Sequence, residues 1–379
     1  MTKIRVLVNG LHARSGGGVT YLKNILPALA EHSDLELHLF LHDSQYEVIG
    51  KVDDRIRIHL LNFKPGIAYL LAWEQICLPI LARLMSVDVT FSPANYGPLL
   101  TPGSVILLRN ALSVVGRETR PLKRLYWLVL SFMTLLSLAC CRRAAAVSNF
   151  ASKTLTFGFD RFMKDRLSVI YHGVSSSYAP RLSVPAGQPF LLVVADIYIQ
   201  KNLHTLIEAF RLVLREHPTM ELVIAGRKID GDYYEELVDQ IHKGRIGALV
   251  RFVDSLPAEK LVELYQGCKV FVFPSTVETF GNPLVEAMAC GAPIACSSSA
   301  AMPEIVGDCA EFFDPVDKTQ MANAVLRLLS DPDRRAQLAG RGLLRARRFS
   351  WPESASQIAD VFRLCARRAA STGDDRVDV

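Results

Sequence analysis

Two carboxylates, one lysine and the start of one short helix are the residues of this sequence whose types and spacing could do chemistry together. Glu278 and Glu286 stand eight positions apart, on either side of a stretch suited to an anion. Asn282 is a favourable N-cap, and Pro283 fits a first helical position because it has no N–H to lose. A helix starting there offers backbone N–H groups at Leu284 and Val285 with the positive end of its dipole outward, which suits a phosphate. Gly281 removes a side chain where a ligand would approach closely. Carboxylates are poor partners for phosphate but good acceptors for hydroxyls. With Glu278 on the loop and Glu286 in the first turn, a phosphate site is flanked by a hydroxyl-gripping group at each end. A sugar–diphosphate–ribose ligand needs that arrangement. The blander reading is that Glu286 complements the helix dipole, worth about 0.3–1 kcal/mol, and that Glu278 is solvated.

Breaking a sugar–diphosphate bond develops negative charge on the departing phosphate, so positioned cations or N–H dipoles are required. Lys201 lies between a predicted strand and a predicted helix, which aims it at the end of the strand; alternatively it is a solvated helix-start lysine. Arg227, after Gly226 at the end of the next strand, is a second candidate cation. Ser15-Gly16-Gly17-Gly18 joins the first strand region to the first helix, but it lacks the spacing of a full dinucleotide fingerprint. No Asp-x-Asp stands at a strand end, so no catalytic divalent metal is expected.

The elements that must position these residues alternate. Strands are predicted over 4–8, 35–41, 87–91 and 105–108, with a helix over about 19–31. A polar, Pro-containing segment, 175–189, breaks the pattern. Strands then follow over 190–195, 222–225, 250–253, 270–273 and 293–296, with helices over 203–216, 233–243, 258–267 and 283–289, and a last helix over about 352–369. This predicts an α/β chain with parallel sheets covered by helices and a ligand cleft at the carboxyl ends of the strands.

Length and composition agree. The 379 residues suggest two domains, and half are hydrophobic and 21% charged, which excludes global disorder. The net charge of +5 does not argue for nucleic acid. The eight cysteines form no zinc-ligand array, so reduced thiols in the cytoplasm are the simplest expectation. The apolar run at 4–8 is too short for a signal peptide. Residues 125–141 carry no charge, with Lys123 and Arg124 before and Arg142 and Arg143 after. That run falls short of the about 20 residues of a spanning helix and reads equally as a buried helix or a membrane-contacting one.

Glu278, seven residues, then Glu286 continuing into Ala287-Met288-Ala289-Cys290-Gly291 resembles the signature of the family-four retaining glycosyltransferases. The resemblance covers about 190–344 and extends more thinly over the first half, at Trp73-Glu74-Gln75, at 88–95 and at 147–150. It implies a GT-B fold of two Rossmann-like domains with a deep interdomain cleft. The domains would be 1–178 on the acceptor side and 179–349 for the nucleotide sugar, with 350–379 forming a helix and tail that packs back on the first. It implies that Glu278 contacts the transferred sugar, that Phe280, Gly281 and Asn282 line sugar and phosphate, that Glu286 holds the ribose, and that Lys201, followed by Asn202, binds the diphosphate. Gly17 and Gly18 match the family's glycine loop, which implies that their backbone approaches the donor phosphates or the acceptor. Two departures stand out. The family's usual arginine five residues before the lysine is Asp196, which phosphate would repel unless it turned away; Arg227 is the possible substitute. The family's histidine near the acceptor is replaced by Arg109-Asn110, and asparagine cannot titrate near neutral pH. His172 is read as structural.

The resulting expectation is a retaining, metal-independent transferase without cofactor. It would move mannose or another hexose from a nucleotide diphosphate to a glycan or lipid-linked acceptor in bacterial lipopolysaccharide or exopolysaccharide synthesis. Its place would be cytoplasmic, with peripheral contact to the inner membrane face and no nucleic-acid partner. The alternatives are a nucleotide-sugar epimerase, a phosphorylase, or a non-catalytic nucleotide-sugar-binding protein.

Overall fold

In the computed structural model, which describes residues 3–14, 16–64, 66–112, 121–181 and 187–373, the alternating apolar runs become two parallel sheets. The chain divides into two units, one of Met1–Gly173 with Ser350–Val379 and one of Val174–Phe349.

Among the described residues the first unit has seven strands: β1 (Ile4–Asn9), β2 (Leu35–His42), β3 (Arg57–Leu61), β4 (Val89–Ser92), β5 (Val105–Leu108), β6 (Arg143–Ala146) and β7 (Leu167–Val169). They lie in the order β3-β2-β1-β4-β5-β6-β7, every neighbouring pair parallel. The chain winds outward from β1 to β3, returns beside β1 as β4 and winds the other way. Strand order therefore reverses between β1 and β4, where open α/β sheets leave a crevice for ligands. β4 and β5 are buried throughout; β5, Val-Ile-Leu-Leu, accordingly reads as a continuous apolar run, whereas β4, Val-Thr-Phe-Ser, alternates and buries Thr90 and Ser92 as well. β3, β6 and β7 were not among the expected strands. β6 is Arg-Ala-Ala-Ala, without a β-branched or aromatic residue, and its place between β5 and β7 makes it a strand.

The Gly17–Ala30 helix starts two residues before the expected boundary. The last helix, Trp351–Gly373, belongs to this unit: Phe362 meets Phe91 edge-on with centroids 5.3 Å apart, and Arg363 donates to both Asp34 oxygens at 2.8 and 2.9 Å. The uncharged run forms the helix Pro121–Cys140. One face buries Leu130, Thr134, Ser137 and Leu138, with Thr134 Oγ1 bonded to the Leu130 carbonyl at 2.8 Å and Ser137 Oγ accepting from Gly97 N at 3.2 Å. The other exposes Leu125, Leu128, Val129 and Phe132. Among the described residues no helix is long and apolar enough to cross a membrane.

The second unit repeats the plan with β8 (Phe190–Val194), β9 (Glu221–Ala225), β10 (Val250–Val253), β11 (Val270–Phe273), β12 (Ile294–Ser297) and β13 (Ala310–Phe313). Their order is β10-β9-β8-β11-β12-β13, all parallel, and it reverses between β8 and β11. Its core packs Leu191, Val193, Leu222, Ile224, Val270 and Val272 of these strands against Leu206, Ile207 and Phe210 of the Leu203–Val213 helix. Gly226, just past β9, is held at φ +155°, and a Cβ there would fall 2.1 Å from the Ala195 carbonyl oxygen. Only glycine allows the two strand ends to come so close.

Candidate active site

In the second unit the predicted residues gather where β8 and β11 part. After β8 the chain makes a single 3₁₀ turn, Ile199–Lys201, and Asn202 ends it in the left-handed conformation at φ 56°. Asn202 is buried, and its amide donates to the carbonyls of Pro274 at 3.0 Å and Pro315 at 2.7 Å. Thr276 N bonds the Gln200 carbonyl at 3.0 Å. These bonds tie the turn to the loop leaving β11, so Lys201 and Glu278, 77 positions apart, meet: Nζ lies 2.5 Å from Oε1. Both side chains are largely shielded, at 12% and 18% exposure. Burial opposes the ammonium, but Glu278 and Tyr198 beside it hold Lys201 above the usual lysine range. The Tyr198 ring centroid is 5.2 Å from Nζ and Phe273 is 5.9 Å away, so the cation is backed by aromatic faces. Glu278 is therefore ion-paired, not solvated.

The helix after Glu278 corrects several sequence expectations. It runs Asn282–Ala289, so Asn282 is its first residue and the cap is Gly281. Gly281 has φ +89°, a conformation that costs other residues dearly, so backbone geometry demands it whether or not a ligand comes near. Leu284 N–H bonds the Gly281 carbonyl at 2.9 Å, so one of the two amides expected to face a phosphate is already engaged, and Val285, the fourth residue after that cap, lies within the reach of the helix's own bonding. Glu286 lies in the second turn, too far in to be a simple dipole complement. Tyr265 donates to its Oε2 at 2.9 Å. Burial pushes Glu286 up to about 7 against the lowering effect of that bond. The carboxyl thus sits near its midpoint at neutral pH, ready to accept from hydroxyls when ionised. Phe280 is buried and packs edge-on against Phe349 at 5.7 Å.

Asp196 does not stand idle. It takes Arg227 in a two-pronged grip, Nη2 to Oδ2 at 2.6 Å and Nε to Oδ1 at 3.2 Å, and also accepts from Arg227 N at 3.1 Å. The pairing with Asp196 raises Arg227 further above its ordinary value. The guanidinium and carboxylate occupy the ends of neighbouring strands, so the cation is present but partly neutralised by its neighbour.

In the first unit Gly17, Gly18, Arg109 and Asn110 line one pocket of about 160 Å³. It lies outside the ends of β1, β4 and β5, beside the reversal point. Buried Asn95 shapes its wall: Oδ1 accepts from Arg109 N at 2.8 Å and Asn110 N at 2.9 Å, and Nδ2 donates to the Asn110 carbonyl at 2.7 Å. The Arg109 guanidinium lies 5.7 Å from the Tyr21 ring centroid, and burial pushes it down to about 10. A Cβ on Gly17 would come within 3.2 Å of Arg109 Nη2, so the glycine makes room for the guanidinium. Ser15 lies outside the described residues. His172 is buried, with Trp351 stacked at 5.6 Å and Tyr21 tilted at 5.1 Å. It is a packing residue.

The sequence reading did not anticipate His12, which also lines the pocket, nor the role of Tyr265. A histidine just past the first strand and a tyrosine in an amphipathic helix carry no pattern of their own. Among the described residues no group of three or more His, Cys, Asp or Glu side chains could hold a metal ion.

Residues 176–343 match the model of the glycosyl transferases group 1 family. The O-antigen chain mannosyltransferase B of Escherichia coli is 30% identical over 240 residues, 60% of this chain and 62% of that protein. The serotype-specific mannosyltransferase WbdA of Escherichia coli is 30% identical over 174 residues, 46% of this chain and 21% of its own length. The chain thus spans less than two thirds of the curated relatives it matches. Among solved structures, Anabaena HepE in complex with UDP-glucose superposes with a TM-score of 0.76 at 18% identity, covering 95% of this chain and 99% of that one. A sucrose-phosphate synthase of Thermosynechococcus elongatus gives 0.75 at 19%, covering 96% and 99%. The shared fold is GT-B, with two Rossmann-like domains. Residues 176–343, nearly all of the second unit, are thus similar to the glycosyl transferases group 1.

Proposed function

We propose that this protein is a retaining, metal-independent glycosyltransferase. It moves mannose or another hexose from a nucleotide diphosphate to a glycan or lipid-linked acceptor in bacterial lipopolysaccharide or exopolysaccharide synthesis. The observation that carries this reading is the 2.5 Å pairing of Lys201 with Glu278 at the parting of β8 and β11, directly before the helix that bears Glu286. The mannosyltransferase relatives and the UDP-glucose bound by HepE support it from outside the chain.

Lys201 and Glu278 keep one another paired until the donor arrives, which spares the site an uncompensated shielded charge. The diphosphate then takes the ammonium, and hydroxyls of the transferred sugar donate to Glu278. Glu286 accepts from the ribose, and Phe280, Gly281 and Asn282 line the sugar and phosphate. As the bond from C1 to the diphosphate oxygen breaks, its electron pair stays on the phosphate, where Lys201, the positive end of the Asn282–Ala289 helix and Arg227 stabilise it. The acceptor oxygen bonds C1 on the same face, and its proton passes to the departing phosphate oxygen. Glu278, engaged with the sugar hydroxyls, is not a nucleophile. Gly17 and Gly18 let backbone approach the donor phosphates or the acceptor, and Arg109 and Asn110 serve the acceptor side. The exposed apolar face of the Pro121–Cys140 helix makes peripheral contact with the cytoplasmic face of the membrane.

Incubation with a panel of nucleotide sugars, with and without EDTA, tests this. One donor is expected to release its nucleoside diphosphate and a sugar of unchanged anomeric configuration, with EDTA making no difference. An epimerised donor, or one that is bound and never turned over, would refute it.

A further inference from the structure

One buried carboxylate is left over by this account. Glu74 has no exposure, and its Oε2 has no hydrogen-bond partner among the described residues. A buried, half-satisfied carboxylate is costly and calls for a reason. It sits where the helical backbone widens into a single π turn, Trp73–Cys77, a distortion often found at functional sites. Its Oε1 accepts from Asn9 Nδ2 at 2.7 Å and meets His12 Nε2 at 2.6 Å. Asn9 ends β1 and also reaches Ser92 Oγ, at the end of β4, at 3.2 Å. The cluster therefore lies under the point where strand order reverses, where ligands bind in such sheets. His12 forms part of the pocket that Arg109 and Asn110 line.

An ionised carboxylate can only accept, so Glu74 fixes the proton of neutral His12 on Nε2. That leaves Nδ1 as a lone-pair acceptor, and it makes no hydrogen bond among the described residues. Tyr96, edge-on at 4.7 Å, walls one side of the ring. The pocket, at about 160 Å³, falls below the roughly 300–1,000 Å³ of drug-sized sites. It has room for one sugar ring. An anion in the pocket would have the Arg109 guanidinium as its partner, but at His12 it would meet the Nδ1 lone pair with the Glu74 carboxylate behind it, whereas a hydroxyl would donate to Nδ1.

We propose that His12, aligned by Glu74, is a hydroxyl-accepting subsite that holds one hexopyranose unit of the acceptor in the first unit's pocket. This rests on the reading of the protein as a glycosyltransferase. Arg109 and Asn110 supply donors and an acceptor to the same ring, and Gly17 and Gly18 leave it space.

The test uses the full chain with ¹⁵N-labelled histidine. Its His12 signals are assigned by their loss in His12→Asn. At pH 7.5 His12 should show the Nε2–H tautomer. Methyl α-D-mannopyranoside or methyl α-D-glucopyranoside should shift its Nδ1 resonance saturably, and inorganic phosphate should not. Followed through the Gly17 and Gly18 amides in a second sample labelled with ¹⁵N-glycine, glycoside affinity should fall about three- to tenfold in His12→Ala. Glu74→Gln should lose the fixed tautomer and bind as weakly; if that variant does not fold, His12→Ala and His12→Asn carry the test. A response to phosphate alone, or equal glycoside affinity in His12→Ala, would overturn the subsite. Nucleotide-sugar hydrolysis measured in parallel separates the two claims. Turnover without glycoside binding discards only the subsite, and glycoside binding without turnover of any donor discards only the transferase.

Discussion

Replacing Glu286 by Gln should make the protein more stable at alkaline pH and a poorer donor binder. Burial lifts this carboxyl from an ordinary 4.5 to about 7. The native state therefore holds a proton that the unfolded chain releases, and wild-type stability falls as pH rises from about 4.5 through 7. The full rise corresponds to about 3.4 kcal/mol once the group is ionised in both states. The half-buried side chain keeps some water, so about 1–2 kcal/mol is the figure to expect. Glutamine carries no charge and still accepts from the Tyr265 hydroxyl, now 2.9 Å away. Wild type and variant should unfold alike near pH 4 and diverge by about 2–8 °C at pH 8.5, read by thermal denaturation of the second unit's transition. Donor affinity should move the opposite way, falling about 10–100-fold at pH 8 because hydrogen bonds to a charged acceptor are lost. If the variant were no more stable than wild type at pH 8.5, or bound donor equally well, the account of Glu286 as a strained ribose acceptor would be wrong.

Other variants probe the remaining parts. Lys201→Met should cut donor turnover about 10²–10³-fold, the usual effect of removing one group that stabilises a developing oxyanion; single-turnover kinetics giving less than a threefold change would exclude Lys201 from the leaving-group site. Arg227→Ala should raise KM for the donor about tenfold, and Asp196→Asn should lower it several-fold by releasing the guanidinium from its present carboxylate partner. Equal KM values in all three proteins would remove Arg227 from donor binding. Leu125→Ser with Phe132→Ser should abolish co-sedimentation with vesicles of anionic lipid while leaving nucleotide-sugar hydrolysis intact. Undiminished binding to those vesicles would mean that this exposed face of the helix has another use.

Much of the second unit was legible in its residues because its elements are locally consistent. β10 and β11 carry their expected boundaries, since each is a short stretch rich in Val and Phe that ends at turn-forming residues. The first unit was harder to read. β6 has no strand propensity, and β7 is three half-buried residues; β6 is a strand because β5 offers an edge, and β7 because β6 then offers the next. The capping of the Asn282–Ala289 helix was misplaced by one residue because Asn is the better cap by propensity. The left-handed Gly281 takes the position instead, through its approach to Leu284 and Phe273.

By itself the sequence determined the α/β alternation and the chemical types of the candidate site: two acids, a lysine and a helix start within reach of two strand ends. Those are properties of residue type and short spacing, which periodicity and motif preserve. Tertiary structure alone decided which charges meet. Lys201 finds Glu278 across 77 positions, Asp196 finds Arg227 across 31, and His12 finds Glu74 across 62. Parallel sheets bring distant strand ends side by side, so the partner of a strand-end residue depends on strand order, which crossover connections set and local sequence does not encode.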